Sequence, residues 1–370
     1  MRDLTAKYRV TNYPWIKSYL PNGFAPAITG LSAFGAMARS LSRLSAGASD
    51  GGLCMRLLSP TKEEQNWTLA RNVIIYDELN KAIESFNRAE IKAVVLSGAA
   101  LAATVYPNIS YRPMSDIDIL AAQDGLTAIE KQLAGCGYQL EISRDNESHY
   151  QKKIHNFTLH IDVHNSLPYS GQDGLDDIMS RACQVKLSGV DIFVLDPEDA
   201  LIYAGFDAVA GHARITRTVL SDIALIIRNQ EITAGKFNWP DLIKRIKQYR
   251  VEAPLYFVLS EVSRREYVAI PADIFKAIKP AGKKAWELMI YRYFIKHRSN
   301  NDDIAPVLRA LTRPGKAGLL RESFLPAAGF MQRRYNVSTA VLYGYYPIRF
   351  FSHIWRVSKL SFGLLRAILF

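Results

Sequence analysis

The chain has 370 residues, of which 49% are hydrophobic and 22% are charged. This length and composition suit two ordinary domains with substantial buried cores, and they exclude a wholly disordered protein. Its three cysteines, Cys54, Cys136 and Cys183, are odd in number and widely spaced. They exclude a disulfide framework or a cysteine-based metal site and predict a cytoplasmic protein.

The net charge of +11 is unevenly distributed along the sequence. Residues 61–310 hold 30 Lys and Arg against 32 Asp and Glu, whereas residues 1–60 carry +5 and residues 311–370 carry +8. A domain that grips a long nucleic acid is expected to show a basic footprint of its own. The near-neutral central region therefore argues against a nucleic-acid partner.

The first 60 residues form a basic N-terminal extension that is rich in Ala, Gly and Ser. Pro26 and nearby glycines interrupt its apolar stretch, so the sequence predicts neither a signal peptide nor a membrane span there. After Pro60, Thr61 and Glu64 match a capping box, which predicts a helix that continues to about Asn87.

A short apolar run from Ile91 to Leu96 meets Ser97 and Gly98 and then becomes rich in Ala and Leu. This order predicts a strand, a tight turn and a helix. Gly98 would let the backbone approach a ligand closely, and the free amide groups that open the next helix suit a phosphate. An ordinary strand-to-helix turn explains the same pattern, so the neighbouring motifs must decide.

Two carboxylates, Asp116 and Asp118, stand two residues apart in an apolar strand that follows a proline-containing turn. In an extended chain they point to one face, whereas Ile117 and Ile119 point to the other. Like charges at close range raise a pKa or weaken the strand unless a cation bridges them. The pair therefore indicates a Mg²⁺ site, with a solvated strand end as the alternative.

Residues 157–164 alternate apolar and polar side chains, which predicts a strand with His160, Asp162 and His164 on one face. If this strand lies beside the strand of Asp116 and Asp118, Asp162 becomes a third carboxylate at the metal site. It could then complete the metal shell and accept a proton. Oxygen-rich Mg²⁺ sites rarely recruit imidazole, so we interpret the two histidines as surface residues.

Together these motifs resemble the DNA-polymerase-β-like nucleotidyltransferase superfamily, in particular a bacterial branch of uncharacterised nucleotidyltransferases. The resemblance covers about residues 65–265, and the ordered combination is far more specific than any single part. Its motifs in this sequence are Leu96-Ser97-Gly98, Tyr106-Pro107, Arg112, Asp116-Ile117-Asp118-Ile119-Leu120, Gly137-Tyr138 and Ile161-Asp162-Val163-His164.

The resemblance implies a metal-dependent enzyme that moves a nucleoside monophosphate from a nucleoside triphosphate to an acceptor hydroxyl. It implies that three carboxylates hold Mg²⁺ or Mn²⁺ and perform the chemistry, namely Asp116, Asp118 and Asp162. The residues expected to contact the nucleotide are Ser97, Gly98, Arg112 and Ser115.

Ser97 departs from the family, which usually has a lysine at this position to help hold the triphosphate. A hydroxyl in place of an ammonium removes a positive charge, so we expect reduced nucleotide affinity or turnover. Arg112 could supply the missing charge, because a guanidinium can grip phosphate with two hydrogen bonds. Alternatively, Arg112 is an ordinary surface arginine in a turn.

Strand and helix patterns alternate as far as residue 196, with strands near Tyr138, Tyr150 and Leu159 and another at Ile192–Leu195. From Pro197 onward the patterns are helical, near residues 216–229, 239–249, 253–266 and 283–296. The predicted fold is α+β: a small mixed β-sheet nucleotidyltransferase core with flanking helices (61–196), followed by an all-α domain (197–310).

Residues 311–370 form a basic, aromatic C-terminal tail, and no acidic residue occurs after Glu322. Apolar residues in 348–370 loosely follow helical spacing, but four basic residues interrupt any span of membrane-crossing length. A helix that lies on an anionic membrane surface fits this composition, and so does a helix packed on the body or on a partner. We expect a cytoplasmic protein, with membrane association through this tail as one option.

The sequence leaves the acceptor and two other function classes open. The near-neutral central region favours a small molecule, a lipid-linked compound or a protein over a long nucleic acid as acceptor. The resembling branch is associated with surface-polysaccharide and modified-peptide biosynthesis, which suits a small or lipid-linked acceptor. A toxin-type nucleotidyltransferase would modify tRNA or a protein, but the central charge argues against the basic cleft that it needs. A non-catalytic nucleotide-binding or scaffold protein would fit Ser97 but not the intact Asp116, Asp118 and Asp162.

Overall fold

The computed structural model describes residues 60–144, 146–154, 157–187, 189–265 and 267–296, with isolated positions between 328 and 358. The predicted extension before residue 60 lies outside the described residues. The same holds for the tail, including 348–370, apart from those isolated positions. No helix in the described ranges is long and apolar enough to cross a membrane.

The described residues alternate strands and helices and then become helical. The strands are β1 Ala93–Val95, β2 Asp116–Ala121, β3 Gln139–Arg144, β4 Glu147–Ile154, β5 Phe157–His164, β6 Cys183–Leu187 and β7 Val190–Val194. The α-helices are α1 Lys62–Arg88, α2 Ser97–Thr104, α3 Leu126–Gly135, α4 Gly171–Arg181, α5 Pro197–Phe206, α6 Arg217–Ala234, α7 Trp239–Gln248, α8 Glu252–Arg264, α9 Ala272–Ala277 and α10 Lys283–Lys296.

The seven strands form one mixed sheet in the order β3-β4-β5-β2-β1-β7-β6. β2 runs parallel to β5 and β1 runs parallel to β7, whereas the remaining neighbours are antiparallel. β2 therefore has a partner on each side, and its backbone is fixed by both. The predicted α+β class with a mixed sheet and flanking helices is confirmed.

Helix α1 covers one face of the sheet with apolar residues that recur every three or four positions. Ile75, Leu79, Ile83 and Phe86 are at most 2% exposed. They belong to one apolar cluster with the inward residues of the central strands, which are Ile117, Ile119, Ile161 and Val163. Each such fully buried side chain stabilises the fold by roughly 1.5–3 kcal/mol, so this face of β2 and β5 is fixed toward the core.

Local signals in the sequence set several element boundaries correctly. The capping box is present: the backbone N–H of Thr61 donates to Glu64 at 2.7 Å, and the Glu64 N–H donates to the Thr61 hydroxyl at 3.2 Å. Helix α5 begins at Pro197, and Asp196 caps it by accepting from the Asp199 N–H at 2.9 Å. Strand β6 and helices α4 and α9 were not predicted.

Contacts divide the described chain into two compact units. One contains the sheet and the segments up to Ala204, together with Arg217–Arg245 and Val262–Ala269. The other contains Gly205–Thr216, Ile246–Glu261 and the described residues from Ile270 onward. Helices after residue 196 thus contribute to both units, and the domain boundaries proposed from the sequence stay a prediction.

A buried carboxylate joins three helices of the first unit. Asp199 on α5 accepts hydrogen bonds from Nε and Nη2 of Arg181 on α4 at 2.9 and 2.8 Å. Its Oδ2 also lies 3.0 Å from Nη1 of Arg245 on α7, and that nitrogen donates to Asp196 at 2.7 Å. Because these charges are withdrawn from water, each depends on its partners for stabilisation.

We expect Asp199→Ala to lower the free energy of unfolding by about 3 kcal/mol, because the partly buried Arg181 loses the carboxylate that holds it and the buried Arg245 loses one of its partners. Asp191 is the matched control, since its ion pair with Lys186 is exposed, with 45% and 71% of the two side chains accessible. Asp191→Ala should cost about 1 kcal/mol or less. Urea denaturation measures both, and equal losses would contradict the account.

Candidate functional site

The carboxylate pair lies on the face of β2 that points away from the core cluster. Ile117 and Ile119 are fully buried on the opposite face, as alternation along the strand predicted. Asp116 and Asp118 are partly exposed. The neighbouring Ser115 hydroxyl donates to Oδ1 of Asp116 at 3.0 Å, so this predicted nucleotide-contacting residue touches the pair in this structure.

Parallel pairing of β2 with β5 brings the third carboxylate to the pair. Asp118 is the register partner of Asp162, and Asp116 is the register partner of His160. Directly paired residues on neighbouring strands project to the same face. The structure therefore places Asp116, Asp118 and Asp162 on one face of two adjacent strands, as the sequence predicted.

Two histidines hydrogen-bond to the carboxylates. Nδ1 of His149 on β4 lies 2.8 Å from Oδ1 of Asp162, and Nε2 of His164 on β5 lies 3.4 Å from Oδ1 of Asp118. Glu147 lies between the two imidazoles: its Oε2 is 3.3 Å from Nε2 of His149, and its Oε1 is 3.6 Å from Nδ1 of His164. His164 is thus part of the site, and its interpretation as a surface residue is wrong.

The pKa values of these groups show how the charges balance. Hydrogen bonds to Asp162 and Glu147 raise the pKa of His149 to about 10. Burial alone would raise the pKa of Glu147, but the two histidines lower it to about 2. Burial raises the pKa of Asp118, the neighbouring carboxylates raise it further, and His164 opposes them. Both histidines therefore stabilise a face crowded with carboxylates.

The Ser97-Gly98 turn begins directly beside Asp118. The Leu96 N–H donates to the Asp118 carbonyl at 2.9 Å, which extends the β1–β2 ladder by one residue. Ser97 then adopts a left-handed backbone with a φ of +49°, which is uncommon and strained for a residue with a Cβ. Strand pairing therefore brings the predicted phosphate-binding turn to the aspartate face.

Arg112 lies over this turn but is already engaged by a carboxylate. Its Nη2 and Nε donate to Oδ2 and Oδ1 of Asp222 at 2.9 and 3.3 Å. The hydroxyl of Tyr106 donates to the same Asp222 Oδ1 at 2.5 Å. Asp222 is 2% exposed and is therefore a buried ion-pair residue. Direct contact of Arg112 with phosphate stays a prediction, because its nitrogens already donate to Asp222 and, through Nη1, to the Pro113 carbonyl at 3.3 Å.

The residues present fit a divalent cation. Carboxylate oxygens are the ligands that Mg²⁺ and Mn²⁺ prefer. Four carboxylates, Asp116, Asp118, Glu147 and Asp162, are met here by two histidines and by Arg144, whose Nη1 lies 3.3 Å from Glu147. A cation would balance the excess negative charge. Among the described residues, the ligand atoms of Glu147, His149 and Asp162 gather within 4.8 Å of one another.

Sequence reasoning missed Glu147 and His149. They are two residues apart on β4, so they share a face, and β4 pairs antiparallel with β5 so that His149 opposes Asp162. The sequence Glu-Ser-His is polar throughout, so it offers only a weak signal for which face of this strand meets the site. Asp162, the partner that brings His149 into the site, is 13 residues further along the chain.

A model of the family described as "Uncharacterised nucleotidyltransferase" matches residues 39–264. The chain belongs to this family. The family assignment agrees with the resemblance drawn from the motifs, and it establishes the protein as a nucleotidyltransferase enzyme in general terms. No curated protein matches the chain significantly.

Two solved structures show weak similarity to this nucleotidyltransferase. The solution structure of the antibiotic-resistance factor ANT(2'')-Ia shares 11% identity at a TM-score of 0.34 and covers 48% of this chain and 98% of its own. The crystal structure of an antigenic nucleotidyltransferase-like protein from Paracoccidioides brasiliensis shares 14% identity at a TM-score of 0.35. The match covers 55% of this chain and 93% of the other. These scores are too low to carry an argument.

We expect Gly98→Ala to displace the Arg112 guanidinium in this nucleotidyltransferase. A Cβ at residue 98 would collide with Nη1 of Arg112 and lie 3.2 Å from its Cζ and 3.3 Å from Cγ of Met114. Because Asp222 restrains the guanidinium, the cost should be about 1–3 kcal/mol of unfolding free energy. Thermal or urea denaturation measures it.

Gly135→Ala is the matched control, because a Cβ at that exposed position in α3 meets nothing within 4 Å. It should leave stability unchanged or raise it slightly, since alanine is the better helix residue. If both variants unfold like the wild type, the close contact between Gly98 and Arg112 does not hold.

Proposed function

We propose that this protein transfers a nucleoside monophosphate from a nucleoside triphosphate to an acceptor hydroxyl, with Mg²⁺ or Mn²⁺. The family supports nucleotidyl transfer, and the site supports the metal-dependent form. The observation that carries the proposal is the register of Asp118 with Asp162, beside Asp116 and directly next to the Ser97-Gly98 turn.

Each side chain has a role in this proposal. Asp116, Asp118 and Asp162 hold the divalent ion, which supplies charge stabilisation to the phosphates when it is bound. The turn at Ser97 and Gly98 receives the outer phosphates on its backbone amides. Before the ion binds, His149 and His164 keep Asp162 and Asp118 oriented through their hydrogen bonds.

The reaction is an in-line displacement at the α-phosphorus. A bond forms between the acceptor oxygen and that phosphorus, and the bond to pyrophosphate breaks. The proton of the acceptor hydroxyl passes to the carboxylate of Asp162, which lies beside Asp118 across the β2–β5 ladder. Pyrophosphate leaves with the electron pair of the broken bond.

For the acceptor we propose a small molecule, a lipid-linked compound or a protein. Residues 61–310 carry 30 basic against 32 acidic side chains, which does not suit a long polyanion. The basic, aromatic segment 348–370 supports a membrane-surface contact at the cytoplasmic side. That contact would bring the enzyme close to a lipid-linked acceptor.

Incubation with each labelled nucleoside triphosphate, a divalent ion and cell extract tests the activity. We expect one nucleotide to label an acceptor, and the label to fall at least 100-fold in Asp116→Ala and Asp118→Ala because the ion is lost. Asp124→Ala is the control, since Asp124 is exposed and lies just after β2. If both site variants still label the acceptor, catalysis by this aspartate site is contradicted, and a scaffold role for the protein is favoured.

Restoring the family's lysine tests the phosphate turn separately. We expect Ser97→Lys to lower the KM for the nucleoside triphosphate several-fold, because an ammonium joins the backbone amides that face the phosphates. The substitution keeps an L-residue at the same left-handed position, so it adds no new backbone strain. Steady-state kinetics or calorimetric nucleotide titration measures the effect, and unchanged affinity would place the phosphates elsewhere.

A further inference from the structure

An imidazole takes part in the acidic face where an oxygen-only metal site was expected. Glu147, His149 and Asp162 form what we call the imidazole–carboxylate cluster. Their ligand atoms lie within 4.8 Å of one another, and Nδ1 of His149 is 2.8 Å from Oδ1 of Asp162. All three side chains are three-quarters or more buried, so their orientations are restrained.

We propose that a divalent ion held by Asp162 is also bound by a ring nitrogen of His149, with Glu147 as a further ligand, and that the site therefore prefers Mn²⁺ to Mg²⁺. The inference deepens the proposed function, because it identifies the metal that serves the same aspartates. It stands on the cluster itself and needs no nucleotide.

The backbone brings the three ligands together without rearrangement. Glu147 and His149 are two residues apart on β4, and His149 directly opposes Asp162 across the β4–β5 ladder. Ligand atoms that surround one transition-metal ion at roughly 2.1 Å lie no more than roughly 4.2 Å apart. Side-chain movements of roughly half an ångström therefore close the cluster on an ion. The ion would replace the half-exposed Arg144 guanidinium, whose Nη1 lies 3.3 Å from Glu147.

The chemistry of the donors determines the ion. Mg²⁺ takes oxygen ligands and keeps much of its water, whereas first-row transition ions accept imidazole nitrogen beside carboxylate oxygens. When the ion binds, it displaces the proton that His149 shares with Asp162, and the proton passes to solvent. One nitrogen and two carboxylates thus favour Mn²⁺ over Mg²⁺ at this position.

Pulsed electron paramagnetic resonance of the full chain loaded with Mn²⁺, without nucleotide, tests the proposal. We expect a ¹⁴N modulation from a coordinated imidazole that disappears in His149→Gln. It should persist in His160→Gln, because His160 lies on the same face of β5 outside the cluster, 40% exposed and 3.7 Å from Glu141. Displacing the bound Mn²⁺ from the wild type should require at least a tenfold excess of Mg²⁺ over Mn²⁺. In His149→Gln, about equal concentrations of the two ions should suffice.

Three outcomes would overturn the proposal: wild-type protein that binds no Mn²⁺, bound Mn²⁺ without nitrogen coupling, or coupling that persists in His149→Gln. The first two are read from the wild type alone, so a folding defect in the variant cannot obscure them. Because the measurement contains no nucleotide, a nitrogen signal together with failed nucleotide labelling would sustain the metal site and refute the proposed reaction.

Discussion

The parallel pairing of β2 with β5 is the interaction on which the site depends. It sets Asp118 beside Asp162 across the ladder, and so concentrates negative charge on one face of a central sheet region. Such a concentration is unfavourable unless cations compensate it. The opposite face of the same strands is fixed in an apolar core, so the carboxylates cannot escape by a change of register.

Compensation comes from two histidines, whereas a buried ion pair holds the neighbouring turn. His149 and His164 hold Asp162 and Asp118, whereas Arg112 is held by Asp222 and covers Gly98. The Ser97-Gly98 turn and the acidic face are thus organised by separate networks. Ser97 contributes no charge of its own, and a triphosphate at this turn would depend on backbone amides and on the metal.

Much of this arrangement was predictable because its signals are local. Alternation along β2 and β5 gave the faces of Asp116, Asp118 and Asp162, and the capping box at Thr61 gave the start of α1. Longer-range partners were not predictable from spacing. Asp222 meets Arg112 from 110 residues away, and Glu147 and His149 acquire meaning only through pairing of β4 with β5. Mg²⁺ generally prefers oxygen ligands to imidazole, and this preference led to the interpretation of His164 as a surface residue. The preference takes no account of the Asp118 carboxylate, which His164 contacts.

The central claim is that the aspartate face binds a nucleotide through a divalent ion. Calorimetric titration with a non-hydrolysable nucleoside triphosphate analogue, with the ion present and then removed by a chelator, tests it most directly. The account predicts binding that requires the ion and is lost in Asp118→Asn, while that variant keeps the wild-type melting temperature to within a few degrees. Equal binding with and without the ion, or unchanged binding in Asp118→Asn, would contradict it.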